Sequence, residues 1–96
     1  MVRQKKIHAP RIIRNMTVTV QFYSYCKDLT GCAQAVEKLP AGATIESLLQ
    51  QLHARFPRLV PMRNSTLIAV GVDYQPRSHV LKEGDEVSLF PPVQGG

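Results

Sequence analysis

Residues 44–56, TIESLLQQLHARF, contain the clearest helical pattern in the chain. The apolar residues recur three and four positions apart and form one continuous stripe of Ile45, Leu48, Leu49, Leu52 and Phe56. Thr44 is predicted to cap this helix, because its hydroxyl can accept a hydrogen bond from a free backbone N–H. Glu46 lies in the first turn, where the helix dipole favours an acid, and Pro57 is predicted to end the helix.

Two strands are predicted before this helix. The first is typical of a half-buried strand, because Val18, Val20 and Phe22 alternate with polar residues and share one face. Residues 26–31 then predict a short helical turn that closes at a glycine. Residues 32–39 have enough propensity for a helix, but the preceding turn is only long enough to reverse the chain. We therefore predict a second strand there, lying beside the first.

Two more strands are predicted after the helix. Residues 67–72 form a short, nearly all-apolar run, as expected of a central strand that is covered on both faces. Residues 73–76 and 82–85 have turn composition, and residues 86–90 alternate again. The order strand, strand, helix, strand, strand predicts an α+β roll with one helix packed across a mixed sheet of four to five strands. Burial of the helix stripe contributes about 1.5–3 kcal/mol for each side chain.

Composition divides the chain into three parts. The 96 residues fit one domain, predicted at residues 16–90 and followed by an extended tail at residues 91–96. Residues 1–15 lack periodic apolar residues and carry five basic residues and no acid, whereas the remainder carries seven of each. The net charge of +5 therefore belongs to this extension, and the domain itself lacks the basic surface that nucleic acid requires. For the extension, an upstream start or cloning sequence and a flexible basic arm are favoured over an organelle-targeting segment, which is normally rich in serine.

Several classes of function find no support in the sequence. No apolar run approaches the roughly 20 residues that a membrane span needs, and no local spacing indicates nucleophilic catalysis. Cys26 and Cys32 have no second pair of ligands for zinc, and we expect them to stay as thiols in a cytoplasmic protein. His53 lies off the apolar stripe and is expected to be solvated. The acids in residues 83–86 are likewise expected to be solvated, and no acid is predicted to have a buried partner.

The reactive part of the chain is predicted at its end, residues 91–96, PPVQGG. Pro91 and Pro92 stiffen an extended exit from the last strand and cannot add a strand to another sheet. Gly95 and Gly96 have no Cβ, so they leave a terminal carboxylate unhindered and can pass through a narrow channel in a partner. Fully extended, these six residues reach about 20 Å. Adenylation makes such a carboxylate reactive, and attack by a sulfur donor then gives a thiocarboxylate.

Four segments together resemble the small subunits of molybdopterin synthase. They are the strand that opens at Met16, the KDLTG segment that ends at Gly31, the helix that follows Ala43, and above all GDEVSLFPPVQGG at residues 84–96. The last motif is specific, because a glycine turn, a strand, FPPV and a Gly-Gly end occur together and in order. The resemblance covers residues 16–96 and implies a ubiquitin-like β-grasp fold.

The resemblance also implies a cycle in which the chain carries sulfur. An ATP-dependent, E1-like adenylating enzyme would activate the Gly96 carboxylate, so the partner would consume the ATP and this chain would bind no cofactor or metal. The resulting thiocarboxylate would enter the large subunit of molybdopterin synthase and donate its sulfur to a pterin precursor of the molybdenum cofactor. The chain would then be the non-catalytic, sulfur-donating subunit of a cytoplasmic sulfurtransferase, with no nucleic-acid or membrane partner.

Residue by residue, the resemblance assigns the reactive end to Gly95 and Gly96. It assigns partner binding to Phe90, Pro91, Pro92, Val93, Gln94 and Lys27. The family often has arginine at the position of Lys27 and a small residue at the position of Gln94. A bidentate contact at Lys27 and the fit of the tail at Gln94 are therefore expected to differ from those of the family.

Other functions stay open on the same fold. One alternative is a sulfur carrier for thiamine thiazole synthesis, cysteine synthesis or tRNA thiolation. Another is a ubiquitin-like modifier that is joined through Gly96 to lysine side chains, and a third is a plain binding domain without tail chemistry.

Overall fold

A computed structural model of the protein describes residues 14–92, which form a five-stranded mixed sheet and one main helix. The elements are β1 (Asn15–Phe22), α1 (Tyr25–Thr30), β2 (Gln34–Pro40), α2 (Ile45–Arg55), a 3-10 helix (Pro57–Met62), β3 (Leu67–Val70), β4 (Asp73–Tyr74) and β5 (Glu86–Phe90). The predicted α+β roll is confirmed. The basic extension lies outside the described residues apart from its last two, and so do the last four residues of the predicted tail.

The sheet has its two parallel strands next to each other at its centre. Its order is β2-β1-β5-β3-β4, in which β1 and β5 are parallel and all other neighbours are antiparallel. β3 was predicted as a central strand. It does have a neighbour on each side, but the middle strand of the sheet is β5. β3 also ends earlier than predicted, because Gly71 has a φ of 62° and starts a tight hairpin turn. Asp73 and Tyr74, predicted as turn residues, form the short edge strand β4 instead.

The stripe on α2 forms the centre of the core, as predicted. Thr44 caps the helix, since the Ser47 N–H donates to Thr44 Oγ1 at 3.2 Å. The four stripe residues within the helix are each 1% exposed or less: Ile45, Leu48, Leu49 and Leu52. They pack in one cluster with the inward-facing residues of β1, which are Met16, Val18, Val20 and Phe22. Phe56, just beyond the helix, is half-buried and meets the Phe22 ring edge-on at 5.5 Å between centroids.

The connection from β1 to β2 follows the prediction. α1 ends at Gly31, whose φ of 77° is left-handed and whose N–H donates to the Lys27 carbonyl at 2.9 Å. β2 then runs antiparallel to β1. Cys26, in α1, is fully buried in the core, and this burial raises the pKa of its thiol to about 11. The thiol is therefore protonated at neutral pH.

No acid was predicted to form a buried pair, but Glu37 is 1% exposed and is itself the buried member of an ion pair. Glu37 lies on β2, and the alternation of that strand turns it towards α2. There Glu37 forms an ion pair with Arg55, and Gln51 Nε2 donates to Glu37 Oε1 at 2.7 Å. Both partners lie on α2, 14 and 18 residues further along the chain. Local spacing in the sequence therefore did not reveal them.

The prediction of simple solvation is incomplete for the acidic turn and wrong for His53. Glu83 Oε1 accepts a hydrogen bond from the Thr17 N–H at 2.9 Å, and Asp85 Oδ2 accepts one from the Lys82 N–H at 2.8 Å. These carboxylates therefore fix the turn before β5. His53 is half-buried on α2, and the positive charges of Arg77 and Arg63 act on it.

Candidate functional site

The tail leaves the domain from the centre of the sheet. β5 ends at Phe90 and continues into Pro91 and Pro92, which are half-buried and have no regular secondary structure. The end of β1 is tied to this exit, because the Tyr23 N–H donates to the Leu89 carbonyl at 3.1 Å. The start of the tail is therefore held by the most buried strand pair of the sheet.

The remaining tail residues with predicted roles lie outside the described residues: Val93, Gln94, Gly95 and Gly96. Their assignments to partner binding and to the reactive end stay predictions.

An aromatic cluster of Tyr23, Tyr74 and Phe90 borders the tail exit on the sheet face opposite α2. The Tyr23 and Phe90 rings stack with 4.9 Å between centroids and an angle of 9°. Tyr74 meets Phe90 edge-on at 6.3 Å. The cluster faces away from the core because Leu89, the residue before Phe90, points into it.

The aromatic cluster has the properties of a docking surface. Tyr23 is 44% exposed and Tyr74 is 68% exposed, and Leu67, which pairs with Phe90 across β3 and β5, is 37% exposed. Aromatic residues are enriched in the buried centre of protein–protein interfaces. Contiguous exposed apolar patches often mark the surfaces that form such interfaces. Phe90, which the sequence singled out, therefore belongs to a larger apolar surface.

The sequence contained a signal for only one other member of this cluster. Tyr23 follows Phe22, so continued alternation places it on the outer face of β1. Tyr74 had no such signal, because its strand consists of two residues and exists only through pairing with β3.

A groove also adjoins Pro91 and Pro92, and we call it the tail-exit groove. Its first part is a cavity of about 410 Å³, lined by Ser24, Tyr25, Met62, Pro91 and Pro92. Its second part is a cavity of about 350 Å³, lined by Tyr25, Leu29, Arg58, Pro61 and Met62. Tyr25 and Met62 line both parts, so the two parts adjoin. Two surfaces therefore adjoin the end of β5 and the two prolines, the aromatic cluster and this groove.

Lys27 belongs to neither surface. It is exposed on α1, and it lines neither part of the groove. Among residues 14–92 the ion pairs are Arg55 with Glu37 and Arg77 with Glu46, so the Lys27 ammonium group takes part in none of them. Its predicted role in partner binding stays a prediction.

Within residues 14–92, no group of three or more potential ligands is placed to hold a metal ion. The helices of this part of the chain are also too short or too polar to cross a membrane.

The chain resembles proteins of known family in both sequence and structure. The sequence model of the ThiS family matches residues 20–96. The molybdopterin synthase sulfur carrier subunit of Escherichia coli (strain K12) is 35% identical over 81 residues, which cover 82% of this chain and 99% of that protein.

Two solved structures share the fold. A putative molybdopterin converting factor, subunit 1, from Pyrococcus furiosus has a TM-score of 0.75 and 27% identity, with 81% of this chain and 99% of that chain covered. Small archaeal modifier protein 1 from Haloferax volcanii has a TM-score of 0.74 and 18% identity, with the same coverage. These matches confirm the ubiquitin-like β-grasp fold that the sequence predicted. Because the family match spans most of the domain and the whole tail, the chain belongs to the ThiS family.

Proposed function

We propose that this chain is a sulfur carrier for molybdopterin synthesis and that the carboxylate of Gly96 is the group that carries the sulfur. The observation that most supports this proposal is that the family match runs through residue 96 and so includes the entire Gly-Gly tail. The name of the Escherichia coli relative, a sulfur carrier subunit of molybdopterin synthase, supports the same role.

The proposed chemistry takes place in partner proteins. An oxygen of the Gly96 carboxylate attacks the α-phosphorus of ATP in an E1-like enzyme, and pyrophosphate leaves. A sulfide-equivalent donor then attacks the acyl-adenylate carbon, AMP leaves, and a thiocarboxylate remains. In the large subunit of molybdopterin synthase this sulfur passes to a pterin precursor, and hydrolysis restores the carboxylate. The chain itself binds neither ATP nor a metal in this proposal.

The structure around the tail exit supports delivery of a terminal group rather than chemistry within the domain. Pro91 and Pro92 restrict the backbone where the tail leaves β5, so the tail cannot continue the strand. Beyond Pro92 the chain has four more residues, which span about 13 Å when extended. Cys26 is an unsuitable alternative carrier, because its thiol is buried and its pKa is raised to about 11.

We further propose that the aromatic cluster docks both partners in turn. Phe90 lies at its centre and directly precedes Pro91 and Pro92, so a partner that covers the cluster receives the tail as well. Because both partners would need the same tail, they bind one after the other and not together. Lys27 would contribute a point charge from the neighbouring helix. A cytoplasmic setting, in which thiols stay reduced, fits this cycle.

Deletion of Gly96 tests the proposal. In a reaction with ATP, the E1-like enzyme, a sulfide donor, the large subunit and the pterin precursor, the deletion is expected to abolish the dithiolene product. Thermal stability should stay nearly unchanged, because a terminal residue contributes little burial. Gly96→Ala is a comparison variant that keeps the length of the tail and the carboxylate but adds a methyl group, so it should lower product formation without abolishing it. Full product formation by the deletion variant would refute the tail mechanism.

The same reaction separates the alternatives. Conjugates of this chain with lysine side chains of other proteins would indicate a modifier instead. Sulfur transfer that proceeds with a thiazole or tRNA acceptor, but not with the pterin precursor, would indicate another sulfur pathway.

A further inference from the structure

We infer that the tail-exit groove is a binding site for the C-terminal segment of this same chain, residues 93–96, with the terminal carboxylate held by Arg58. This inference rests on the proposed function in one respect, namely that Gly96 carries a free carboxylate. The bound tail would be the resting form of the carrier, from which a docking partner withdraws it.

The length of the tail and its starting point favour this occupant. Pro91 and Pro92 themselves form part of the wall of the first cavity. Pro92, from which the last four residues continue, therefore lies at the groove. These four residues span about 13 Å when extended. The second cavity shares two lining residues with the first, so it continues the groove beyond Pro92.

The charge of the groove matches the end of the tail. Of the residues in 14–92 that line the two cavities, Arg58 alone is charged. It is exposed, and it takes part in none of the ion pairs formed within residues 14–92. A guanidinium can hold a carboxylate through two parallel hydrogen bonds. A thiocarboxylate has the same charge, so the site would bind the tail before and after sulfur loading.

The apolar walls match the start of the tail. Val93 follows Pro92 directly, and it has the only apolar side chain in residues 93–96. Met62 and Tyr25 offer it an apolar surface in the first cavity. The two glycines add no side chain, so the backbone can lie close to the groove as it approaches Arg58.

Nuclear magnetic resonance of the full-length chain, without partner proteins, tests this inference. In the wild type, the Gly95 and Gly96 amide signals are expected at positions different from those of the free peptide Val-Gln-Gly-Gly. The variant R58E should move both signals to the free-peptide positions, and contacts between the Val93 methyl groups and the Met62 methyl group should disappear.

R63E is the matched control. Arg63 is exposed and follows the same 3-10 helix, but it lines neither cavity, so the same change of charge should leave the tail signals in place. Unchanged β1 amide signals in both variants would show that the domain stays folded. A second measurement is the initial rate of adenylation at limiting E1-like enzyme, which R58E should raise by up to about fivefold, the size expected for an exposed ion pair.

Three results would overturn the inference. The first is wild-type tail signals at the free-peptide positions, and the second is an equal effect of R63E. The third is tail shifts that grow with protein concentration, which would mean that the groove binds the tail of a second copy. None of these results depends on sulfur transfer, so the proposed function and this inference can fail separately.

Discussion

At the scale of single residues, Glu37 is the most buried charged side chain within residues 14–92. A carboxylate that is 1% exposed needs partners for its charge, and Arg55 and Gln51 supply them. Arg55 itself is half-exposed and also lies over the Phe56 ring at 4.9 Å from its centroid. The helix is thus held to the edge strand β2 by a polar contact as well as by the core.

Removal of the Arg55 charge is expected to destabilise the fold. Arg55→Met keeps most of the aliphatic stem but leaves Glu37 with Gln51 alone, so we expect a loss of about 1–3 kcal/mol of unfolding free energy. Urea unfolding measures it. The control is Lys38→Met, which removes an exposed charge on β2 that is in no ion pair within the described residues and should cost less than about 0.5 kcal/mol. Equal losses in the two variants would show that the ion pair contributes nothing.

His53 predicts a dependence of stability on pH. Its pKa is lowered below 6.5 chiefly by burial, then by the positive charges of Arg77 and Arg63, and Glu46 opposes this shift. The unfolded chain therefore binds a proton at a higher pH than the folded one. The contribution of His53 to stability is complete above pH 6.5 and is lost as the pH falls through its lower folded pKa.

The measurement is urea unfolding of the wild type and of His53→Gln at about pH 8 and about pH 5. The wild type should lose more stability between these values than the variant does. A parallel loss in both proteins would exclude His53 as the titrating group.

At the scale of elements, the ends of β1, β4 and β5 meet to form the aromatic cluster beside the tail exit. Tyr74→Ser is therefore expected to weaken binding of the large synthase subunit at least about tenfold, or about 1.4 kcal/mol. Val72→Ser is a matched control, because Val72 lies in the adjoining turn and is 95% exposed. Calorimetric titration gives both affinities. An unchanged affinity for Tyr74→Ser would place the docking surface elsewhere.

The elements that could be predicted from the sequence are those whose signals are local. α2 has a cap and a stripe within 13 residues, and β1 has its own alternation, so both were predicted. β4 was not, because two residues carry no periodicity and their pairing with β3 depends on the hairpin turn at Gly71. The ion pair of Glu37 and the position of Tyr74 depend on register across the sheet. The tail motif is contiguous and was found from the sequence. The surfaces that flank it combine residues from distant segments and were not found.

At the scale of the whole molecule, residues 14–92 supply a hydrophobic core. Among these described residues, the core cluster has 17 buried members, from Met16 to Leu89. The boundary nevertheless lies before Arg14, because the Arg14 carbonyl accepts the Ala41 N–H at 2.8 Å. Removal of residues 1–13 should therefore change the melting temperature by less than about 4 °C, which corresponds to about 1 kcal/mol or less. A larger fall would show that the extension packs on the domain.

If the terminal carboxylate carries the sulfur, mass spectrometry of the intact chain can detect it on Gly96. After incubation with ATP, the E1-like enzyme and a sulfide donor, we expect a gain of about 16 Da, the exchange of one oxygen for sulfur, located on Gly96. The Cys32→Ser variant should show the same gain. An unchanged mass, or a gain of about 32 Da located on a cysteine, would rule out a thiocarboxylate carrier.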